Sequence, residues 1–322
     1  MTMLGKQTIK GRIGFALAIF SIVSFCLLPF AQILSTSLKH QFDWGNPSLI
    51  PQVVNLDAYK ELLGLTERQT VEIPPAIKKI LENPKLSQGK KDAILAKYTD
   101  NSDVFPFGRF MLNSFAVSAG AALVSLIFAV MGAYSISRLR FSGQVVVQRS
   151  VLFVYMVGGV LLMVPLYQMA VNVGLASSMW GSVFCLFAIY IVQTLPVALY
   201  MLGNYFRTIP FALEEAAMMD GYSRKEAIIK VVLPLSIPML ATVFMYCFII
   251  GWNEYLFASV FLKQFKEFYT LPLALQELFV SKNAIWDRIM AASMLTLAPI
   301  IVCFLFAMRH MDGGKTDGGV KG

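Results

Sequence analysis

Six apolar stretches, each long enough to cross a lipid bilayer, constrain this chain more than any other feature of it. They lie near residues 13–38, 110–136, 149–171, 179–203, 237–262 and 287–309. A spanning helix needs about 20 mainly apolar residues, because each adds about 1.5 Å across a hydrocarbon core of about 30 Å. No water in that core satisfies backbone N–H and C=O groups, so each stretch is expected to be a helix that closes its own hydrogen bonds. The rest of the composition agrees. Of 322 residues, 57% are hydrophobic and 14% charged, whereas a soluble domain carries about 25% charged residues. The expected fold is therefore an all-α integral membrane protein with six transmembrane helices.

The formal net charge of +8 is ordinary for such a protein, since Lys and Arg gather on the cytoplasmic side. No nucleic-acid partner is implied, because basic and aromatic residues do not interleave along a groove-like pattern. Cys26, Cys185, Cys247 and Cys303 lie far apart, each inside an apolar run. Neither a disulfide framework nor a zinc spacing fits them, and they read as packing residues. Lys6, Lys10 and Arg12 precede the first apolar run as they would in a signal peptide. That run is too long for a signal core and no small-x-small site closes it, so it reads as a retained span.

Lys and Arg also set the orientation. Residues 1–12 carry three bases and no acid, and the 137–148 connection with its neighbour adds Arg138, Arg140 and Arg149, again with no acid. The 172–178 connection has no charge. Both termini and the loops 137–148 and 204–236 are thereby expected in the cytoplasm, with the long loop 39–109 outside. The ten bases of that loop are no objection, since nine acids accompany them and long loops cross largely regardless of charge.

Two segments outside the bilayer carry local signals. Within 39–109, "PQVVNLDAYKELLG" has an Asn/Asp start and apolar residues at helical spacing, and residues 74–100 read as two short amphipathic helices split at Asn83-Pro84. The loop is either a solvated cap or a platform for an external partner. In 204–236, four acids and three bases fall between Glu214 and Lys230. Pro210 suits a first helical turn, with Glu214 and Glu215 near its positive end. Asp220-Gly221 stops that helix. Ser223 and Glu226 have the S-x-x-E spacing of a capping box and start a second helix, which Pro234 and Pro238 end or kink. This is a helix–turn–helix on the membrane surface, where the small Ala216 and Ala217 would let another backbone approach.

These residues carry a resemblance. Glu215, Ala216, Ala217, Asp220, Gly221, Leu233 and Pro234 stand at the spacing of the EAA loop of ATP-binding-cassette importer permeases, with Val231 where the pattern has Ile. "GWNEYLFA" (251–258), "FMLNSFAVSAGAALVS" (110–125) and the final "GGVKG" resemble the sugar-importer branch, the last of these the maltose-type G permeases. Residues 66–102 match nothing in the pattern. The resemblance implies a permease subunit of a binding-protein-dependent sugar importer in a bacterial inner membrane. Its implied partners are a second permease subunit, two ATPase subunits, an extracytoplasmic solute-binding protein and membrane lipid. The EAA helices would dock on the ATPases as a coupling element. The tail at Gly318, Gly319 and Lys321 would order between them, although its glycines alone describe a disordered end.

The chain itself holds no expected cofactor; ATP and Mg would belong to the partner ATPases. "GGKT" (313–316) looks like the end of a phosphate loop, but Arg309 stands where its first glycine belongs. His40 and His310 have no evident nucleophile or metal partner, so no enzyme is implied. Asn253 and Glu254 are the polar pair in the fifth span. A carboxylate at that depth costs about 2.5–3.5 kcal/mol on insertion scales and must face protein or water. The pair either lines a pathway or fixes packing by an interhelical hydrogen bond. The rival function is an ion-gradient-driven transporter, which would favour inverted repeats and paired intramembrane carboxylates. A membrane scaffold without transport would leave the EAA pattern unexplained.

Overall fold

The computed structural model describes residues 9–40, 43–65, 91, 105–156, 159–280 and 286–311, and every regular element among them is helical. The expectations for residues 1–8, for the tail at Gly318, Gly319 and Lys321, for "GGKT" and for the helices within 74–100 (Lys91 apart) fall outside the described residues. The chain divides into two units, Met1–Gly108 with Leu278–Leu295, and Arg109–Glu277 with Thr296–Gly322.

The first unit contains α1 (Ile9–Ser37) and α2 (Asp57–Leu62). Past the end of α1 the chain is tied down by polar side chains. Lys39 is fully buried, and its ammonium donates to the carbonyls of Asn46 at 2.6 Å and Ser48 at 2.8 Å. An ammonium out of water is tolerated only when its donors are filled in this way. Asp43 accepts from the backbone N–H of Gln52 and from Asn46 Nδ2, both at 3.0 Å. The Gln52 N–H holds its carboxyl below the usual carboxylate range, with Asn46 and Lys39 adding to it and burial opposing. Ser37 and Tyr59 share a hydroxyl hydrogen bond of 2.7 Å, and Asn55 Oδ1 accepts from the N–H of Asp57 at the start of α2. The expected helix in "PQVVNLDAYKELLG" is thus present, buried along Ala58 and Leu62. Arg288, in the helix that begins at Trp286, closes an ion pair of 2.5 Å on Glu61.

The second unit is built from α3 (Phe107–Arg138) from Arg109 onward, α4 (Gln144–Met156), α5 (Met163–Asn172), α6 (Met179–Thr208), α7 (Phe211–Met219), α8 (Arg224–Leu235), α9 (Ile237–Trp252) and α10 (Leu256–Phe261), with the parts of α11 (Leu271–Val280) and α12 (Trp286–Met311) that lie outside 278–295. Along α3 the buried residues Ser114, Ser118, Ala121 with its neighbour Ala122, Ser125, Ala129 and Ala133 follow one face at steps of three or four positions. Lipid chains are as apolar as leucine, so helices in a membrane gain by close packing of small residues and by polar contacts between them. Thr194 of α6 donates to Ser125 Oγ at 2.9 Å, and Cys247 of α9 lies 3.9 Å from the same oxygen. The third point of close approach is Gly251 on α9. A Cβ there would stand 3.2 Å from the Tyr190 ring and 3.3 Å from Ser118 Cβ. Gly251→Val should therefore destabilise by about 1–3 kcal/mol through overpacking, read as a fall in detergent-extract melting temperature. Gly132→Ala should cost less, because the Leu199 methyl it meets ends a flexible side chain.

Two expected spans are not continuous helices. Residues 149–171 are divided between α4 and α5, with a 3₁₀ turn at Gly159–Leu162 before α5. Residues 237–262 break after Trp252 and resume at Leu256. Among the described residues, four helices are long and apolar enough to cross a membrane: Gly14–Ser37, Phe107–Arg138, Met179–Thr208 and Trp286–Arg309. A fifth is reached if α8 and α9, bent by 77°, form one span. The bend follows from chemistry. Pro234 and Pro238 lack the N–H groups that would continue the ladder, α8 loosens to a π-helix at Ile228–Val232, and Ser236 Oγ donates back to Val232 O at 2.6 Å.

Candidate functional site

Residues 210–235 fold as the expected helix, turn and helix. Pro210 lies one position earlier than expected: it is the N-cap residue of α7 rather than part of its first turn, and its side chain makes no capping hydrogen bond. At the other end Gly221 has φ +92°, a left-handed conformation that costs a residue with a Cβ about 1–2 kcal/mol. The Gly221 N–H donates to Met218 O and the Tyr222 N–H to Ala217 O, both at 3.1 Å. This double closure is the Schellman arrangement, which satisfies the last carbonyls of α7. Ser223 and Glu226 then complete the capping box of α8: Ser223 Oγ accepts from the Glu226 N–H at 3.3 Å, and Glu226 Oε2 accepts from the Ser223 N–H at 2.9 Å. The Ser223 N–H and hydroxyl hold the Glu226 carboxyl below its ordinary value. Lys230 lies 4.4 Å from the Tyr222 ring centroid and 3.6 Å from Glu226, so the turn is braced from α8 as well.

The helix pair has two chemically distinct faces. Glu215, Ala216, Asp220 and Gly221 are exposed, with Met219 88% and Ile229 62% exposed beside them. Glu214, Ala217, Ala227 and Val232 are buried. Leu233 is half-buried and Pro234 exposed. Of the two alanines expected to admit another protein, only Ala216 is open; the small size of Ala217 serves packing within this chain.

Glu214 lies in the first turn of α7, as the sequence reading placed it, but it is also buried against partners that the sequence did not show. Its carboxylate lies 2.9 Å from Arg138 Nε, an ionic approach in which the N–H points off the line of a hydrogen bond, and it accepts from the Tyr134 hydroxyl at 2.8 Å. Arg138 also donates from Nη2 to Ile209 O at 2.7 Å. Arg138, read from sequence only as a marker of orientation, is thus an ion-pair partner of the buried Glu214, whereas Arg140 is exposed. No pattern within 204–236 could have found the pairing.

Asn253 and Glu254 fall in the break between α9 and α10 rather than within a continuous span. Glu254 accepts from the N–H groups of Phe257 at 2.7 Å and Ala258 at 3.1 Å, and from the Tyr190 hydroxyl at 3.1 Å. It thus caps the first turn of α10 and ties it to α6. Asn253 is exposed and its amide donates to Ile249 O at 3.0 Å. A cleft of about 250 Å³ lies among α5, α6 and α10, lined by residues such as Leu166, Met169, Phe184, Cys185 and Phe261. Its walls offer almost no hydrogen-bonding groups, so it does not suit a sugar. No group of three or more metal-ligating side chains occurs among the described residues.

Residues 121–316 match the family described as the binding-protein-dependent transport system inner membrane component. The chain belongs to this family. As a binding-protein-dependent transport permease it works within an ATP-binding-cassette importer together with other permease, ATPase and binding-protein subunits, and it is not itself an enzyme. Over 321 residues it is 36% identical to the inner membrane ABC transporter permease protein YcjP of Escherichia coli (strain K12), covering 98% of this chain and 99% of that one. It is 29% identical over 331 residues to the maltose/maltodextrin transport system permease protein MalG of the same strain, and 28% over 330 residues to MalG of Vibrio parahaemolyticus, each over the full length of both chains. Among solved structures, one chain of a bacterial ABC transporter involved in the import of the acidic polysaccharide alginate has the same fold, with a TM-score of 0.70 at 21% identity over 96% of this chain and 99% of that one. Family membership removes the ion-gradient-driven alternative and the scaffold.

Proposed function

We propose that this permease serves an importer for a sugar, with an oligosaccharide as its cargo, and that α7, the Gly221 turn and α8 form the coupling element that docks on a cytoplasmic ATPase. One observation carries the docking reading. The EAA residues Glu215 and Ala216 stand open on a helix whose other face is buried in the permease. Maltose and maltodextrin, for which the MalG relatives are named, support the cargo class. The assembly is one further permease subunit, two ATPase subunits that bind ATP and Mg, and an extracytoplasmic solute-binding protein. Six spans bring both termini to the cytoplasm, the third assembled from the end of α4, the 3₁₀ turn and α5. The tail at Gly318, Gly319 and Lys321 contacts the ATPases. Asn253 and Glu254 hold the α9–α10 break in place, which the three hydrogen bonds accepted by Glu254 support.

The test is recovery of the ATPase subunit with the tagged permease. The unaltered chain should retain it. Glu215→Lys, which places a positive charge near the positive end of α7, should lower ATPase recovery at least fivefold at unchanged membrane abundance. Undiminished recovery would move the docking surface elsewhere.

Orientation has its own test. Lys266 lies in the 3₁₀ turn Lys266–Phe268, exposed and 3.4 Å from Glu277. Lys266→Cys, in a chain whose four cysteines are replaced by alanine, should react with a membrane-impermeant maleimide only from outside and should crosslink to the solute-binding protein. Reaction only from the cytoplasmic side would invert the topology.

A further inference from the structure

Glu214 and Glu215 are adjacent and chemically alike, yet one is buried and the other exposed. Glu214 is 1% exposed and meets α3 rather than solvent. Its partners there are Arg138 and Tyr134, one turn apart on the last stretch of α3. Through its bond to Ile209 O, Arg138 also holds the C-cap residue of α6, and its guanidinium carbon lies 5.7 Å from the ring centroid of Phe211, the first residue of α7. Tyr134 packs edge-to-face on Phe206 of α6, with centroids 6.5 Å apart. A single guanidinium therefore touches the ends of three helices.

The charges suit those ends. Arg138 lies in the last turn of α3, where the carbonyls leave partial negative charge, and Glu214 lies in the first turn of α7, where the N–H groups leave partial positive charge. The start of α7 has no side-chain cap, so this cluster supplies the polar anchorage that a cap would otherwise give. Apolar contact alone has no preferred direction and lets a surface helix roll or slide. Charge-assisted bonds in a place shielded from water fix distance and angle together.

We propose that Tyr134, Arg138 and Glu214 form a rigid junction that makes α7 move as one body with the ends of α3 and α6, so that a displacement imposed on the exposed Glu215–Ala216 face passes into the membrane helices. The proposal rests on the docking reading above and assigns its inner half. Tyr134, Arg138 and Glu214 are positioning residues, acting through the helices they join.

The experiment uses the assembled importer in proteoliposomes. Spin labels at Ala212→Cys on α7 and Met131→Cys on α3, in the cysteine-free chain, report the distance between the two helices at rest and after vanadate trapping of the ATPases. The junction requires a distance unchanged within about 2 Å between the two states, on the scale of ordinary helix shifts at interfaces. A larger change overturns it, whatever the variants do. Arg138→Gln with Glu214→Gln removes both charges together, so that neither is left buried alone. This pair should broaden the distance distribution and reduce transport per ATP hydrolysed at least tenfold. Normal transport per ATP in the double variant overturns the proposal, as does failure of that variant to assemble together with a wild-type distance that changes on trapping. Should the unaltered chain retain no ATPase at all, the docking reading fails and the junction with it; ATPase retained with a changing α3–α7 distance leaves docking intact and removes the junction alone.

Discussion

Arg138→Gln, made alone, should remove most of the folded protein from the membrane fraction. It strands the Glu214 carboxylate in a site where it is 1% exposed, with the Tyr134 hydroxyl as its remaining hydrogen-bond donor among the described residues. Breaking a buried pair by removing one partner costs about 3–5 kcal/mol, because the remaining charge has neither water nor counter-charge. That is a large part of the about 5–15 kcal/mol that separates folded from unfolded protein. Ile209 O also loses its donor, which adds the cost of an unmade hydrogen bond at the end of α6. Adding Glu214→Gln should restore abundance to within about twofold, since two neutral amides leave no stranded charge. The measurement is the amount of monodisperse protein in a detergent extract, for each single variant and for the pair. Equal losses in the single and double variants would mean that the pair contributes no mutual stabilisation. Arg140 is exposed two residues beyond the end of α3, and Arg140→Gln, as the control, should leave abundance unchanged.

The second large effect is expected at Gly221, and it separates function from folding. A Cβ at this position would meet nothing within 4 Å, so the constraint is conformational rather than steric crowding. At φ +92° a β-branched residue is a genuine outlier, and holding it there costs about 1–3 kcal/mol. The chain can avoid that cost locally by reopening the turn. The two bonds that close α7, to Met218 O and Ala217 O, would be lost, and α8 would no longer start where the Ser223–Glu226 box places it. Gly221→Val should therefore leave the protein in the membrane, with α3, α6 and α9 intact, yet lower transport about tenfold or more. Asparagine visits the left-handed region more readily than other side chains do, so Gly221→Asn should keep most of the activity. Transport rate at matched abundance decides the matter. Equal activity in the valine and asparagine variants would show that the turn conformation is irrelevant to transport.

Much of this was legible because it depends on residue type and local spacing. The bilayer turns an apolar run into a helix without reference to the rest of the chain, which is why α1, α3, α6 and α12 lie within a few residues of the stretches read from the sequence. The Gly221 turn and the Ser223–Glu226 box are likewise local. The left-handed residue specifies a hydrogen-bond pattern within the six residues 217–222, and the S-x-x-E spacing one within four.

What only the tertiary structure decided depends on distant partners. Successive residues on a helix point about 100° apart, so Glu214 and Glu215 must face differently. Which of them turns inward was set by where α3 delivers Tyr134 and Arg138. The interruption after Trp252 is sustained by Glu254, whose carboxylate fills the open N–H groups of α10 and reaches Tyr190 on another helix. In the sequence that residue was a charge in an apolar run, open to a role in the pathway or in packing. Composition and spacing determined that this chain crosses a membrane and carries a turned helix pair outside it, because solvent and backbone geometry act on each segment separately. The inward carboxylate, the broken helices and the junction at Arg138 were decided by the fold, because a buried charge is stable only where another part of the chain brings it a partner.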